Sequence, residues 1–208
     1  MAFAVTATRP LRHRHASIAG FDAFRVDGTP ADCVALGTHI WGNVDLVVSG
    51  VNLGLNVGNA MWHSGTLAAA KQAVLLGMRG IAFSAPAIDG VSDYTPIVPW
   101  LERVLGELLA ATERPLLNVN FPAQPRGIEW TRQSVRLYDG RVISAKDPWG
   151  GEAFWFAPIP RGEPEAGTDR CAIEAGLISI TPLRLDLTDE AALRGAEAEA
   201  LPKARQAV

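Results

Sequence analysis

Between Ser49 and Thr66 the chain alternates small polar residues with aliphatic ones: Gly50, Asn52, Gly54, Asn56, Gly58 and Asn59 against Val51, Leu53, Leu55 and Val57. Ser49, Asn52, Asn56, Ser64 and Thr66 bring side-chain oxygens, and glycines let backbone N–H groups come close to a ligand. The Ala-rich run from Leu67 predicts a helix that begins near Gly65, is capped by Ser64 or Thr66, and stops at Gly77. A helix N-terminus carries about half a positive charge and attracts anions. The chemistry suits a phosphate-sized anion, with Ser49, Gly50, Asn56, Ser64, Gly65 and Thr66 as the candidate binding residues. Neither a Gly-Lys-Ser/Thr loop nor a GxGxxG turn is present, so this is not a Walker or dinucleotide fingerprint. The same block also reads as a structural turn with Gly and Asn in left-handed positions.

Asn52 is the candidate metal ligand, because an amide oxygen suits a hard cation such as Mg²⁺, Mn²⁺ or Ca²⁺. An amide needs a carboxylate beside it, and none lies in this loop. The nearest are Asp45, Asp89 and Asp32, and Asp32 reads as a first-turn helix stabiliser. His63, before the helix, could touch a phosphate or move a proton, or be a plain loop histidine. His13, His15 and His39 read as surface residues without partners, and Lys71 as solvated. Gly167-Thr168-Asp169 could cap a turn or reach an active site, and most such triplets only make turns. The aromatic residues Trp130, Trp149, Phe154, Trp155 and Phe156 read as core or interface before base-stacking groups.

These groups need a frame. Val44 to Ser49 is a nearly continuous apolar run, as in a parallel strand buried on both faces, and the Gly/Asn block after it reads as a loop. With the helix to Gly77 and a second buried strand at Gly80–Ser84, residues 44–84 predict a β–loop–α–β unit with a right-handed crossover. Ligands in such sheets bind beyond the C-terminal ends of the strands. Upstream, residues 4–12 and Phe21–Val26 read as strands, and Thr29 caps a helix over Ala31–Ile40. Downstream come a helix over Tyr94–Ala111, a strand over Leu116–Phe121, antiparallel hairpins over about 127–160, and a strand over Gly176–Pro182. Thr188 is the expected cap of the last helix, whose tail frays beyond Pro202. The fold class is α/β with a mainly parallel sheet, in a single domain over 1–193 with a tail over 194–208.

Composition narrows the classes. With 208 residues, 48% hydrophobic and 20% charged, the chain has the balance of a globular domain, not of a disordered one. A net charge of −3 argues against a duplex nucleic-acid binder. No apolar run is long enough for a membrane span, and the basic N-terminus lacks the apolar stretch of a secretory signal. Cys33 and Cys171 are too few for a disulfide scaffold and read as small buried hydrophobes in a reducing compartment, so the expected location is the cytoplasm.

The stretch from Asp45 to Ser84 resembles the signature block of the SurE survival-protein family, metal-dependent 5′/3′-nucleotidases. Similar motifs follow in order: Gly28–Val34, Leu117–Pro122, Thr131–Gln133, Asp147-Pro148, Gly167–Asp169, Ile178–Leu183 and Asp186–Thr188, so that the resemblance runs from about Thr6 to Leu193. It implies a Rossmann-like core, a projecting β-hairpin, and a C-terminal segment exchanged between subunits of a homodimer or homotetramer. It implies hydrolysis of nucleoside monophosphates with one divalent cation, Mg²⁺, Mn²⁺ or similar, held by two adjacent aspartates, a serine and an asparagine. Asn52 matches that asparagine.

The departures are specific. The sequence has no Asp-Asp pair, and the family's opening β–α–β elements with their Asn-Asp-Asp-Gly and Arg-Ser-Gly turns are not in it. His63 stands where the family has tyrosine, and Lys71 near a usual glutamate. The resemblance thus implies an incomplete metal site, an uncovered sheet edge, and a misassigned start or shortened gene. Two readings follow: an SurE-like nucleotidase in incomplete or inactive form, or a non-catalytic nucleotide- or phosphate-binding subunit.

Overall fold

The computed structural model describes residues 5–87, 94–111, 113–135, 138–160 and 162–198. Asp89 and the chain beyond residue 198 lie outside them. The N-terminal part differs from expectation: residues 5–12 are not a strand, and the first hairpin pairs β1 (His13–Ile18) with β2 (Phe21–Val26), antiparallel. Its turn is Ala19-Gly20, both with positive φ. His15 and His13 are at the surface but not alone. His15 lies 3.2 Å from Asp22, and both imidazoles meet Phe24 edge-on.

Helix α1 (Pro30–Trp41) starts as its sequence dictates. Thr29 accepts from the Asp32 N–H, Asp32 accepts from the Thr29 N–H, and Pro30 fills the first helical position. The central sheet has five strands in the order β3–β4–β5–β9–β6. These are β3 (Leu46–Leu53), β4 (Arg79–Ala85), β5 (Leu116–Asn120), β6 (Gly127–Trp130) and β9 (Leu177–Pro182). Strands β3, β4 and β5 are parallel, β9 runs antiparallel to β5, and β6 is parallel to β9. Helix α2 (Gly65–Leu75) links β3 to β4, and α3 (Val98–Ala110) lies between β4 and β5.

The period of two sorts the two faces. Ile81 and Phe83 of β4 and Leu117 and Val119 of β5 pack with Val104 and Leu108 of α3. Ala82 and Leu116, on the other face, pack with Leu67 and Ala70 of α2. The buried central strand is β5, and its neighbour β4 is buried at all but its first residue. Among the described residues strand β3, read from sequence as buried on both faces, is one edge of the sheet, with Val48 48% exposed. An apolar run is the same whether a strand lies inside a sheet or at its edge, so sequence could not separate the two.

The expected arm also changes its limits. Residues 127–130 belong to the main sheet as β6. The hairpin proper is β7 (Tyr138–Lys146) with β8 (Glu152–Pro160), antiparallel. Trp149 is 90% exposed, and Phe154 and Trp155 are also exposed, so these aromatics are not core. A short helix, α4 (Asp169–Glu174), stands where a turn was read, and α5 (Glu190–Ala198) is capped by Asp189 instead of Thr188. Cys33 is exposed and Cys171 half-buried, both as free thiols. No helix among the described residues is long and apolar enough to cross a membrane.

Candidate phosphate-binding site

The Gly/Asn block begins as strand and ends as turn. Residues 50–53 continue β3, with a register irregularity between Ser49 and Asn52, so the loop read over 50–58 starts only at Gly54. Gly50 explains why a Cβ is excluded here: its φ is +126°, and a Cβ would lie 2.3 Å from the Phe83 carbonyl oxygen. The Gly54 N–H donates to the Ala85 carbonyl at 2.7 Å, which ties the end of the strand to β4. A 3₁₀ turn over Gly58–His63 then delivers the chain to Ser64.

Ser64 is buried and caps α2, its Oγ accepting from the Leu67 N–H at 3.1 Å. The N–H groups of Gly65 and Thr66 open the helix, where no carbonyl four residues back belongs to it. A Cβ on Gly65 would stand 3.3 Å from Pro30 Cγ, so the first turns of α1 and α2 abut. Pro30, Ser49 and Gly50 line a groove of about 560 Å³ between α1 and β3, together with Val34, Trp41 and Val47. Ser49 and Gly50 thus open into the same groove as the start of α1.

Asn56 has a different place from the one its residue type suggested. It is buried, and its groups face inward. Its N–H donates to Asn120 Oδ1 at 2.8 Å, and its Nδ2 donates to Ser84 Oγ at 2.7 Å. Its carbonyl accepts from Asn118 Nδ2 at 2.8 Å and from Asn120 Nδ2 at 3.2 Å. Asn56 braces the loop against β4 and β5. Buried amides must be paired, and the strands supply the pairs. Sequence reading missed Ser84, Asn118 and Asn120 as loop holders. The signal was there: Asn118 and Asn120 alternate with Leu117 and Val119 in a strand buried throughout.

Asp169 was read within a turn-forming triplet, but without its contact with the loop. It is fully buried and accepts from the Gly58 N–H at 2.7 Å, across 111 residues of sequence, and from the N–H groups of Ser134 and Arg170. Burial pushes its carboxyl above the ordinary range, against the pull of those three donors and of the Arg170 charge. His63 is exposed at the end of the 3₁₀ turn. Lys71, read as solvated, is half-buried with Nζ 5.5 Å from the Trp62 ring centroid, and desolvation lowers its pKa.

Asn52 Nδ2 donates to the Gly54 carbonyl at 2.7 Å, which turns its Oδ1, the better donor atom for a cation, the other way. By register Asn52 lies beside Ser84. One amide oxygen does not make a cation site. Among the described residues no three His, Cys, Asp or Glu side chains cluster in a way that could hold a metal ion. Asp32 is fully buried but engaged: it accepts from the Thr6 N–H at 2.7 Å, from Thr6 Oγ1 at 2.6 Å and from the Thr29 N–H at 2.8 Å. The described residues therefore do not fit a divalent cation by themselves.

The family model described as "Survival protein SurE" matches residues 1–140. The chain is 47% identical to the 5′-nucleotidase SurE 1 of Thermus thermophilus over 191 residues, covering 88% of this chain and 76% of that protein. It is 44% identical to the 5′-nucleotidase SurE of Deinococcus radiodurans over 193 residues, covering 88% and 72%. Its fold is similar to the crystal structure of the SurE protein from Aquifex aeolicus, with a TM-score of 0.76, 35% identity, and coverage of 96% of this chain and 84% of that one. With the α/β sheet and the Asn/Gly loop in place, these matches establish that the chain belongs to the SurE family.

Proposed function

We propose that the protein acts on nucleoside monophosphates as a phosphomonoester hydrolase, a 5′-nucleotidase of the SurE type. The observation that carries this reading is the turn from the end of β3 into α2. There the first-turn N–H groups of Gly65 and Thr66 open α2, donors of the kind that take a phosphate, and Ser49 and Thr66 are half-buried hydroxyls at the two ends of that turn. The relatives at 47% and 44% identity are named 5′-nucleotidases. Gly50 allows close approach, Ser64 sets the helix start, and Asn56 braces the loop. Asn52 is the residue we assign toward a divalent cation; because the described residues do not complete such a site, no step of the reaction is routed through one.

A second reading, a nucleotide-binding subunit without turnover, is favoured by that same missing cluster of ligands. The two separate in one experiment. Phosphate release from a nucleoside monophosphate is followed in Mn²⁺ or Mg²⁺, with calorimetric binding of the same nucleotide. Release supports the hydrolase, binding without release supports the second reading, and absence of both removes the phosphate site. We further infer a homodimer or homotetramer in the cytoplasm. The exposed apolar residues of the β7–β8 arm support assembly, and sedimentation gives the subunit number.

A further inference from the structure

We propose that Asp169 is a positioning residue for the phosphate loop, holding it in its binding shape through Gly58 from the opposite side of the chain's topology. This rests on the reading of residues 49–66 as a phosphate site. Two fastenings of the loop between β3 and α2 carry the argument. One is the Asn56 brace against β4 and β5. The other is at Gly58, where both neighbouring peptide groups are taken. Its N–H donates to Asp169 Oδ2 at 2.7 Å, and its carbonyl accepts from Gln133 Nε2 at 3.1 Å.

Gly58 is buried, with φ of +55°, and a Cβ there would stand 3.3 Å from the Ser134 carbonyl oxygen and 3.5 Å from Arg170 Cδ. The loop is thus seated in a notch made by residues 133–134 and the first turn of α4. Asp169 also sets that notch. Its Oδ1 accepts from the Ser134 N–H at 3.0 Å and from its own neighbour Arg170 at 2.8 Å. Thr168 caps α4, and the Asp169 N–H donates to the Arg132 carbonyl at 3.0 Å. One carboxylate therefore joins three separate stretches of chain: the loop, the segment that leads into the β7–β8 arm, and α4. Gly58 stands six residues before Ser64, so the 3₁₀ turn that aims the α2 N-terminus starts at this fastening.

The test compares Asp169→Asn with the parent chain. The substitution keeps the volume but replaces one acceptor oxygen by a donor, so it cannot serve the Gly58 and Ser134 N–H groups together. Two readouts are taken: amide hydrogen exchange at Asn56 and Gly58, and the Kd for adenosine monophosphate. The expected result is at least tenfold faster exchange at Gly58 and at least tenfold weaker nucleotide binding. Gln133→Ala removes only the Gly58 carbonyl bond and should move both readouts the same way, about two- to threefold; it decides the matter if Asp169→Asn does not fold. Leu108→Ala opens a core cavity near the start of β4, where Arg79 donates to the Leu108 carbonyl, and serves as a control of lowered stability. It should leave the nucleotide Kd within twofold. Unchanged exchange at Gly58 overturns the proposal, and so does faster exchange with unchanged affinity, or a Leu108→Ala chain that loses affinity as much as Asp169→Asn. A parent chain that binds no nucleotide overturns the phosphate-site reading and with it the positioning role. The exchange data then still report whether Asp169 fastens Gly58.

Discussion

Asp32 shows how one side chain can be read correctly and still do more than its reading. Sequence gives it the first turn of α1. The structure adds Thr6, whose N–H and hydroxyl both donate to the same carboxylate. Burial raises its pKa, but the Thr6 and Thr29 donors outweigh burial and bring it to about 2 from 3.8. A depressed carboxylate stabilises the fold fully above its unfolded pKa, and the gain is lost as pH falls through the folded value. Asp32→Asn should therefore lower stability by about 1–2 kcal/mol at neutral pH. The difference from the parent should shrink between about pH 4 and about pH 2. Urea midpoints across that window check it, and a constant difference would refute it. Ser64 is a simpler case. Ser64→Ala removes the Leu67 N–H acceptor and should lower stability by about 1 kcal/mol, seen as a lower urea midpoint at unchanged m-value.

At the scale of elements, the strand-to-loop passage depends on backbone approach more than on side chains. Gly50→Ala places a methyl group 2.3 Å from the Phe83 carbonyl at a φ that side chains avoid. Strain and overpacking together should lower stability by about 2–5 kcal/mol, measured by denaturant unfolding. The Asn56 brace belongs to this scale too. Ser84, Asn118 and Asn120 point to one side of β4 and β5 because of the period of two, the same side as α2, and only there can they meet the loop. The α2 helix needed less help from tertiary contacts. Its Ala-rich sequence, its Ser64 cap and its stop before Gly77 agree with the structure to within a residue or two.

For the whole molecule, the open side of β3 is the feature with consequences. Among the described residues β3 pairs only with β4, so a row of backbone groups and the exposed Val48 face outward. Such edges recruit other strands. Val48→Lys places a charge on that edge and should slow concentration-dependent association, followed by light scattering at neutral pH. Unchanged association would direct attention to the exposed aromatics of the β7–β8 arm instead.

The sequence by itself determined most of the local elements of the α/β core and pointed to the Asn/Gly block as the candidate site. Hydrophobic period, caps and glycines act within a few residues, and so α1, α2, β4, β5 and β9 were legible, and of the Asn/Gly block the part from Gly54. It also carried the family, through several motifs in order. Only the tertiary structure decided that β3 is an edge, that β6 joins the main sheet, and that Asn56 faces the strands. It alone brought Asp169 to Gly58. Those facts are set by pairings between residues far apart in the chain, and a hydrogen bond across 111 positions leaves no periodic trace in the residues that make it.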